Sequence, residues 1–174
     1  FLFSFSVFAQ ITPLWEKTKA ANNLPTWFSE TGNTERGFTY KSQNDQIYVV
    51  SRNGGTFVRI MNGQTGADAG QLDVTGITND NSTFPLNDIV ASADGKLYAG
   101  NLAIGTGQEF RLFRWDSDAA VPALAFASTF SGLDKRIGDR LTAVGSASDN
   151  SLQIWLTNPT AQKIYILKTN DNGQ

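Results

Sequence analysis

Asp88-Ile-Val-Ala-Ser92, the turn Ala93-Asp94-Gly95, Lys96-Leu-Tyr-Ala-Gly100 and then Phe110-Arg-Leu-Phe-Arg-Trp115 read as strand, tight turn, strand and strand. Asp-Gly supplies the positive φ that a short hairpin needs, and the flanking β-branched and aromatic residues favour extended backbone. The same order occurs on either side of it. Upstream stand Arg36-Gly-Phe-Thr-Tyr40, a Ser-Gln-Asn-Asp turn, Gln46-Ile-Tyr-Val-Val-Ser-Arg52 and Thr56-Phe-Val-Arg-Ile-Met61. Downstream stand Arg140-Leu-Thr-Ala-Val144, a Ser-Ala-Ser-Asp-Asn turn, Ser151-Leu-Gln-Ile-Trp-Leu-Thr157 and Lys163-Ile-Tyr-Ile-Leu-Lys168. From Tyr48 to Tyr98 the step is 50 residues, and from Leu97 to Leu152 it is 55. A repeat of this length built from short strands predicts a radial β array, above all a β-propeller.

The fold class expected is therefore all-β, a partial β-propeller of about three four-stranded antiparallel blades at residues 36–74, 86–128 and 139–174. Outer strands are expected at Gln71–Val74 and Ala123–Phe126. A β-sandwich is the alternative, since strands with paired apolar residues such as Val49-Val50 and Leu112-Phe113 suit any sheet covered on both faces. Residues 10–35 form an irregular lead-in, in which Leu14–Thr18 is a candidate ring-closing strand.

Composition narrows the chemistry. Among 174 residues there is no cysteine and no histidine, which removes thiolate and imidazole metal sites and every Ser-His-Asp or Cys-His nucleophile system. With 14 basic against 16 acidic residues and no run of one sign, nothing points to nucleic acid. No cofactor is called for, and no stretch is long enough for a membrane span. Phe1-Leu-Phe-Ser-Phe-Ser-Val-Phe-Ala9 reads as the tail of a secretory signal peptide, residues 1–9, which places the remainder outside the cytoplasm, secreted or at the cell surface. Asn170-Asp-Asn-Gly173 reads as a hairpin turn without its second strand, so both ends look like cuts in a longer protein whose missing blades would be partners of these.

Motifs with chemical potential are few. Asp94-Gly95 lacks the further oxygens of a calcium loop, as do Asp116-Ser-Asp118 and Asn79-Asp-Asn81, and each reads as a surface turn. Gly100–Gly107 precedes a strand, where a phosphate loop would need a helix. Asn81-Ser-Thr83 matches a glycosylation sequon. Trp115 and Trp155 fit burial between blades. The positions just before the innermost strands stand out instead: Arg36, Asn87, Asp88, Asp139 and Arg140. In a propeller these line the mouth of the central channel, where they either bind a ligand or close the ring by mutual ion pairs.

The signal tail, the Trp-rich lead-in and the strands Asp94-Gly-Lys-Leu-Tyr-Ala-Gly-Asn101 and Phe110-Arg-Leu-Phe-Arg-Trp115 resemble the exported, uncharacterised β-propeller-like proteins of the Bacteroidetes group. The resemblance covers residues 10–174. It implies export, in many members with a C-terminal sorting domain, and carries over no catalytic residue. WD40 and kelch signatures are lacking, because Trp115-Asp116 occurs once. The expected function is a secreted or surface-displayed binding or scaffold module for a glycan or a protein. A polysaccharide hydrolase or lyase and a structural repeat of an extracellular assembly are the alternatives.

Overall fold

The computed structural model describes residues 11–79, 82–130 and 136–169. The expected signal tail at 1–9 and the turn at 170–173 lie outside the described residues, as do residues 80 and 81 of the Asn79–Asn81 turn and sequon. The chain is all-β, with no helix among the described residues and hence none long and apolar enough to cross a membrane.

Strands β1 (Glu35–Lys41), β2 (Gln46–Ser51), β3 (Phe57–Asn62) and β4 (Asp68–Gln71) form one antiparallel meander. The second sheet follows the same order through β5 (Phe84–Ala91), β6 (Leu97–Ile104), β7 (Phe110–Trp115) and β8 (Ala123–Ser128). To its β6 is added the two-residue β9 (Arg136–Ile137), through Ala103 opposite Ile137. Three strands, β10 (Leu141–Val144), β11 (Gln153–Asn158) and β12 (Lys163–Lys168), make the third sheet.

Alternation along the strands decides how the sheets stack. In the second sheet Ile89, Leu97, Ala99, Phe113 and Trp115 join Tyr48, Val50, Val58 and Ile60 of the first sheet in one core. The intervening residues Val90, Tyr98 and Leu112 point the other way and join Leu141, Ile154 and Leu156 of the third sheet in a second core. The middle sheet is thus apolar on both faces, as a sheet covered on both sides must be. Face-to-face packing is common to sandwiches and to blades, and these three sheets follow one another in chain order.

Their first strands lie together, with β5 against both β1 and β10. The Ala91 amide donates to Thr39 Oγ1 at 3.1 Å, and the Leu141 amide to Asp88 Oδ2 at 2.6 Å. At their far ends Gln43 Nε2 donates to the Ala93 carbonyl (2.8 Å), the Ala93 amide to the Gly145 carbonyl (2.9 Å) and the Ser148 amide to Asp94 Oδ2 (3.0 Å). Partners advance together along β1, β5 and β10, so these strands run side by side in the same direction without forming a ladder. Gly37 permits the approach: a Cβ there would overlap the Asp88 carboxylate and come within 2.6 Å of its Cα.

Several expectations shift. Gln71–Val74 is not the fourth strand, because the β3–β4 register slips between Ile60 and Met61 and pairing runs through Asp68 to Gln71. Leu72 still turns into the core, its amide bonded to the Val58 carbonyl. Gly100 and Asn101 belong to strand β6, and the expected glycine loop narrows to the turn around Gly105 and Gly107. Leu14–Thr18 pairs with no strand among the described residues. Instead Trp15 donates to the Gly63 carbonyl at 2.7 Å, and Trp15 and Trp27 line a hollow with Val49 and Met61 on the free face of the first sheet. Trp155 is not core. Ile154 and Leu156 face the second sheet, so the period of two turns Trp155 outward, 42% exposed.

Candidate functional site

At the starting ends of the first strands the chain leaves a polar cleft of about 300 Å³, lined by Glu35, Arg36, Gly37, Asn87, Asp139 and Arg140. Backbone irregularities aim these side chains. The β1–β2 register slips between Glu35 and Phe38, where Arg36 and Gly37 form a bulge, and the β5–β6 register slips between Phe84 and Asp88. Such slips redirect side chains that regular pleating would send elsewhere. Gly138, with φ of 99°, brings the chain against the Asn101 carbonyl on β6 and delivers Asp139 and Arg140 to the cleft.

Four of the five expected residues therefore meet. Arg36 Nε donates to Asn87 Oδ1 at 3.2 Å, and Asn87 Nδ2 donates to the Gly138 carbonyl at 2.8 Å, so one amide joins the first two sheets to the segment that leads into the third. Asp139 accepts two bonds from Arg136, from Nε at 2.6 Å and from a terminal nitrogen at 2.8 Å. This is the planar fork-to-carboxylate geometry that arginine favours. Arg140 is exposed and makes no hydrogen bond or ion pair among the described residues. Glu35, a lining residue the repeat pattern did not single out, accepts from the Ser29 amide, Thr34 Oγ1 and Ser51 Oγ.

Asp88 takes a different place. It lies beneath the cleft, 2% exposed, with Oδ1 accepting the Ile89 amide and Oδ2 the Leu141 amide. Burial raises its pKa above the ordinary carboxylate value, while the two amides and the charges of Arg140 and Arg36 pull the other way. Arg136, which holds Asp139, was also missed. Its signal was the i, i+3 pairing of opposite charges, in a connection that gave no element to hang it on.

Behind the cleft Arg52 stacks on Phe84, guanidinium carbon 3.7 Å from the ring centroid. Burial and the neighbouring Arg36 both lower the Arg52 pKa. Chemically the cleft is a charge-balanced, hydrogen-bonding surface, two arginines against two carboxylates, whose carboxylates already accept hydrogen bonds. Among the described residues no group of three or more acidic, histidine or cysteine side chains is placed to hold a metal ion.

Fold and cleft together define an all-β chain of serially packed antiparallel sheets with a polar cleft where their first strands meet. No protein-family model matches the chain, and no curated protein does. Among solved structures it is similar to a DUF4623 family protein from Bacteroides eggerthii, with a TM-score of 0.67 and 19% sequence identity. The alignment covers 82% of this chain and 33% of that one, so the chain spans about a third of that protein's length. At this identity the likeness is one of fold.

Proposed function

We propose that the chain is part of a secreted or surface-displayed β-propeller, with blades at about 36–74, 86–128 and 139–174, that serves as a binding module through the cleft at its first strands. The propeller reading is supported by three first strands running side by side in one direction, stitched through Thr39, Asn87 and Asp88, with later strands stepping outward in each sheet. A central channel would lie along such strands, and its mouth would be the cleft.

Binding is favoured over hydrolysis by one observation: the carboxylates at the cleft are held by other groups while Arg140 is not. Glycoside hydrolysis needs one carboxyl poised to give a proton and another positioned about 5–10 Å away. Asp139 is gripped by Arg136, Asp88 is sealed under the cleft by two amides, and Glu35 is tied to three donors of its own neighbourhood. The intact protein screened against arrayed glycans and peptides should bind a subset through this cleft. Substituting Arg36 and Arg140 together by alanine should abolish that binding. Release of reducing ends from any bound polysaccharide, lost on Asp139→Asn, would replace this reading with the enzymatic one.

A second reading, a structural repeat of an extracellular assembly, is favoured by the outer face of the third sheet. Val144, Trp155, Ile164 and Ile166 are exposed there side by side, with Trp155 directly opposite Ile166. A further blade would cover such a face. Without one it should drive self-association, which Trp155→Lys should suppress in sedimentation velocity.

A further inference from the structure

We propose that the cleft recognises an acidic sugar, one ring bearing a carboxylate or a sulfate, with Arg36 and Arg140 as its anion clamp. This deepens the binding reading above and rests on it.

The lining selects for it in three ways. First, the charge is asymmetric in what it leaves available. Arg36 gives only its Nε, to Asn87, and Arg140 is uncommitted among the described residues, whereas Asp139 and Glu35 already accept two and three bonds. Guanidinium pairs match the oxygens of a planar carboxylate or of a sulfate, and a charged acceptor roughly doubles the strength of each bond. Second, the wall offers hydroxyl-binding groups. A sugar ring presents hydroxyl donors and acceptors on its rim. Carboxylate oxygens keep lone pairs beyond those in use, so Glu35 and Asp139 can accept from hydroxyls.

Third, no aromatic or aliphatic side chain among the described residues lines the cleft. An acidic peptide would have to place its backbone and neighbouring side chains against these polar walls with nothing apolar to bury them. A hydroxylated ring loses nothing by that. The size agrees, since about 300 Å³ is the low end of ligand sites, roughly 300–1,000 Å³, and suits a monosaccharide unit of a longer chain. The open side of the cleft leaves room for that chain to continue.

Isothermal titration of the intact protein with a galacturonic acid trisaccharide, its methyl ester, a 6-sulfated galactose trisaccharide and neutral galactotriose tests this. A glutamate trimer completes the set. One or both anionic sugars should bind, which of the two distinguishing carboxylate from sulfate, and binding should weaken as salt rises. The ester and the neutral sugar should bind at least roughly tenfold more weakly. Arg140→Gln should lower affinity for the anionic sugar by roughly ten- to a hundredfold, the scale of a lost charge-assisted contact. Arg140→Lys should fall between and, since it keeps the positive charge that acts on Asp88, should leave the melting temperature unmoved. The inference is overturned if the ester or the neutral sugar binds as tightly, if the glutamate trimer matches the uronate, or if Arg140→Gln changes nothing. Tight binding of the neutral sugar would leave the binding-module reading standing. Silence from every ligand here and on the arrays would overturn both.

Discussion

Left-handed backbone recurs at one place in each repeat. Late in the first turn, one to three residues before the second strand, stands Asp45 (φ 52°), Gly95 (φ 79°) or Asn150 (φ 61°). Aspartate, asparagine and glycine are the residues that enter this region cheaply, so three different letters serve one conformation. A Cβ at Gly95 would also come within 2.9 Å of Gln43, the side chain that reaches the Ala93 carbonyl. Gly95→Ala should therefore lower stability by about 1–2 kcal/mol, from the cost of left-handed backbone. Gly95→Asn carries the same Cβ and should cost less; urea midpoints for the two variants check the order, and alanine equal to or better than asparagine would refute it. At this scale much was legible, because turn chemistry is local. Side-chain direction was not. Asp88 and Asn87 are neighbours within the same strand, yet at the register slip between Phe84 and Asp88 Asn87 goes to the cleft and Asp88 beneath it. Trp155 misled for a related reason, since its bulk suggested burial while the alternation of Ile154 and Leu156 fixed the opposite face.

Between elements the decisive contact is Asp88, which links β5 to the first residue of β10 through the Leu141 amide. Asp88→Asn would turn an amide N–H₂ toward one of the two backbone donors now satisfied by carboxylate oxygens. The expected loss is about 1–3 kcal/mol, the usual cost of stranding a buried polar group. Its pH dependence has a definite sign. Burial raises the Asp88 pKa, so the folded state holds this proton more tightly than the unfolded chain does. The associated stability is fully present below the ordinary aspartate value of about 3.9 and is lost as pH rises through the higher folded value. Melting curves from acid to neutral pH should show the advantage of wild type over Asp88→Asn shrinking as pH rises. An advantage that grew would refute the assignment. Elements whose partners are next in sequence were readable from alternation and turns. Short remote pairings were not: β9 is two residues long and exists because Ile137 finds Ala103 on β6, a contact no local pattern announces. Likewise β4 lies three residues before its expected place because of a slip against β3.

Across the whole molecule burial is graded. The second sheet contributes to both cores, while β12 is the outer strand of the third sheet and has no fully buried residue. In serial architectures stability is carried by interfaces between neighbouring units. Native-state hydrogen exchange should accordingly show β6 amides the most protected and β12 amides opening first, and the reverse order would contradict this packing. The three-unit order was visible in the sequence because each unit repeats it. The cleft was visible only as a set of equivalent positions, since its walls come from segments about fifty residues apart. The lacing at the turn end carries a mechanical consequence. Gln43, Ala93, Asp94 and Ser148 pin the ends of the first strands together, while at their starts Asn87 bridges Arg36 and Gly138 and Asp88 takes the Leu141 amide. The first strands are therefore held at both ends, and the gap between Arg36 and Arg140 is set by this frame. A chain with no cysteine accepts paired spin labels without background, so that gap can be read directly as a distance distribution.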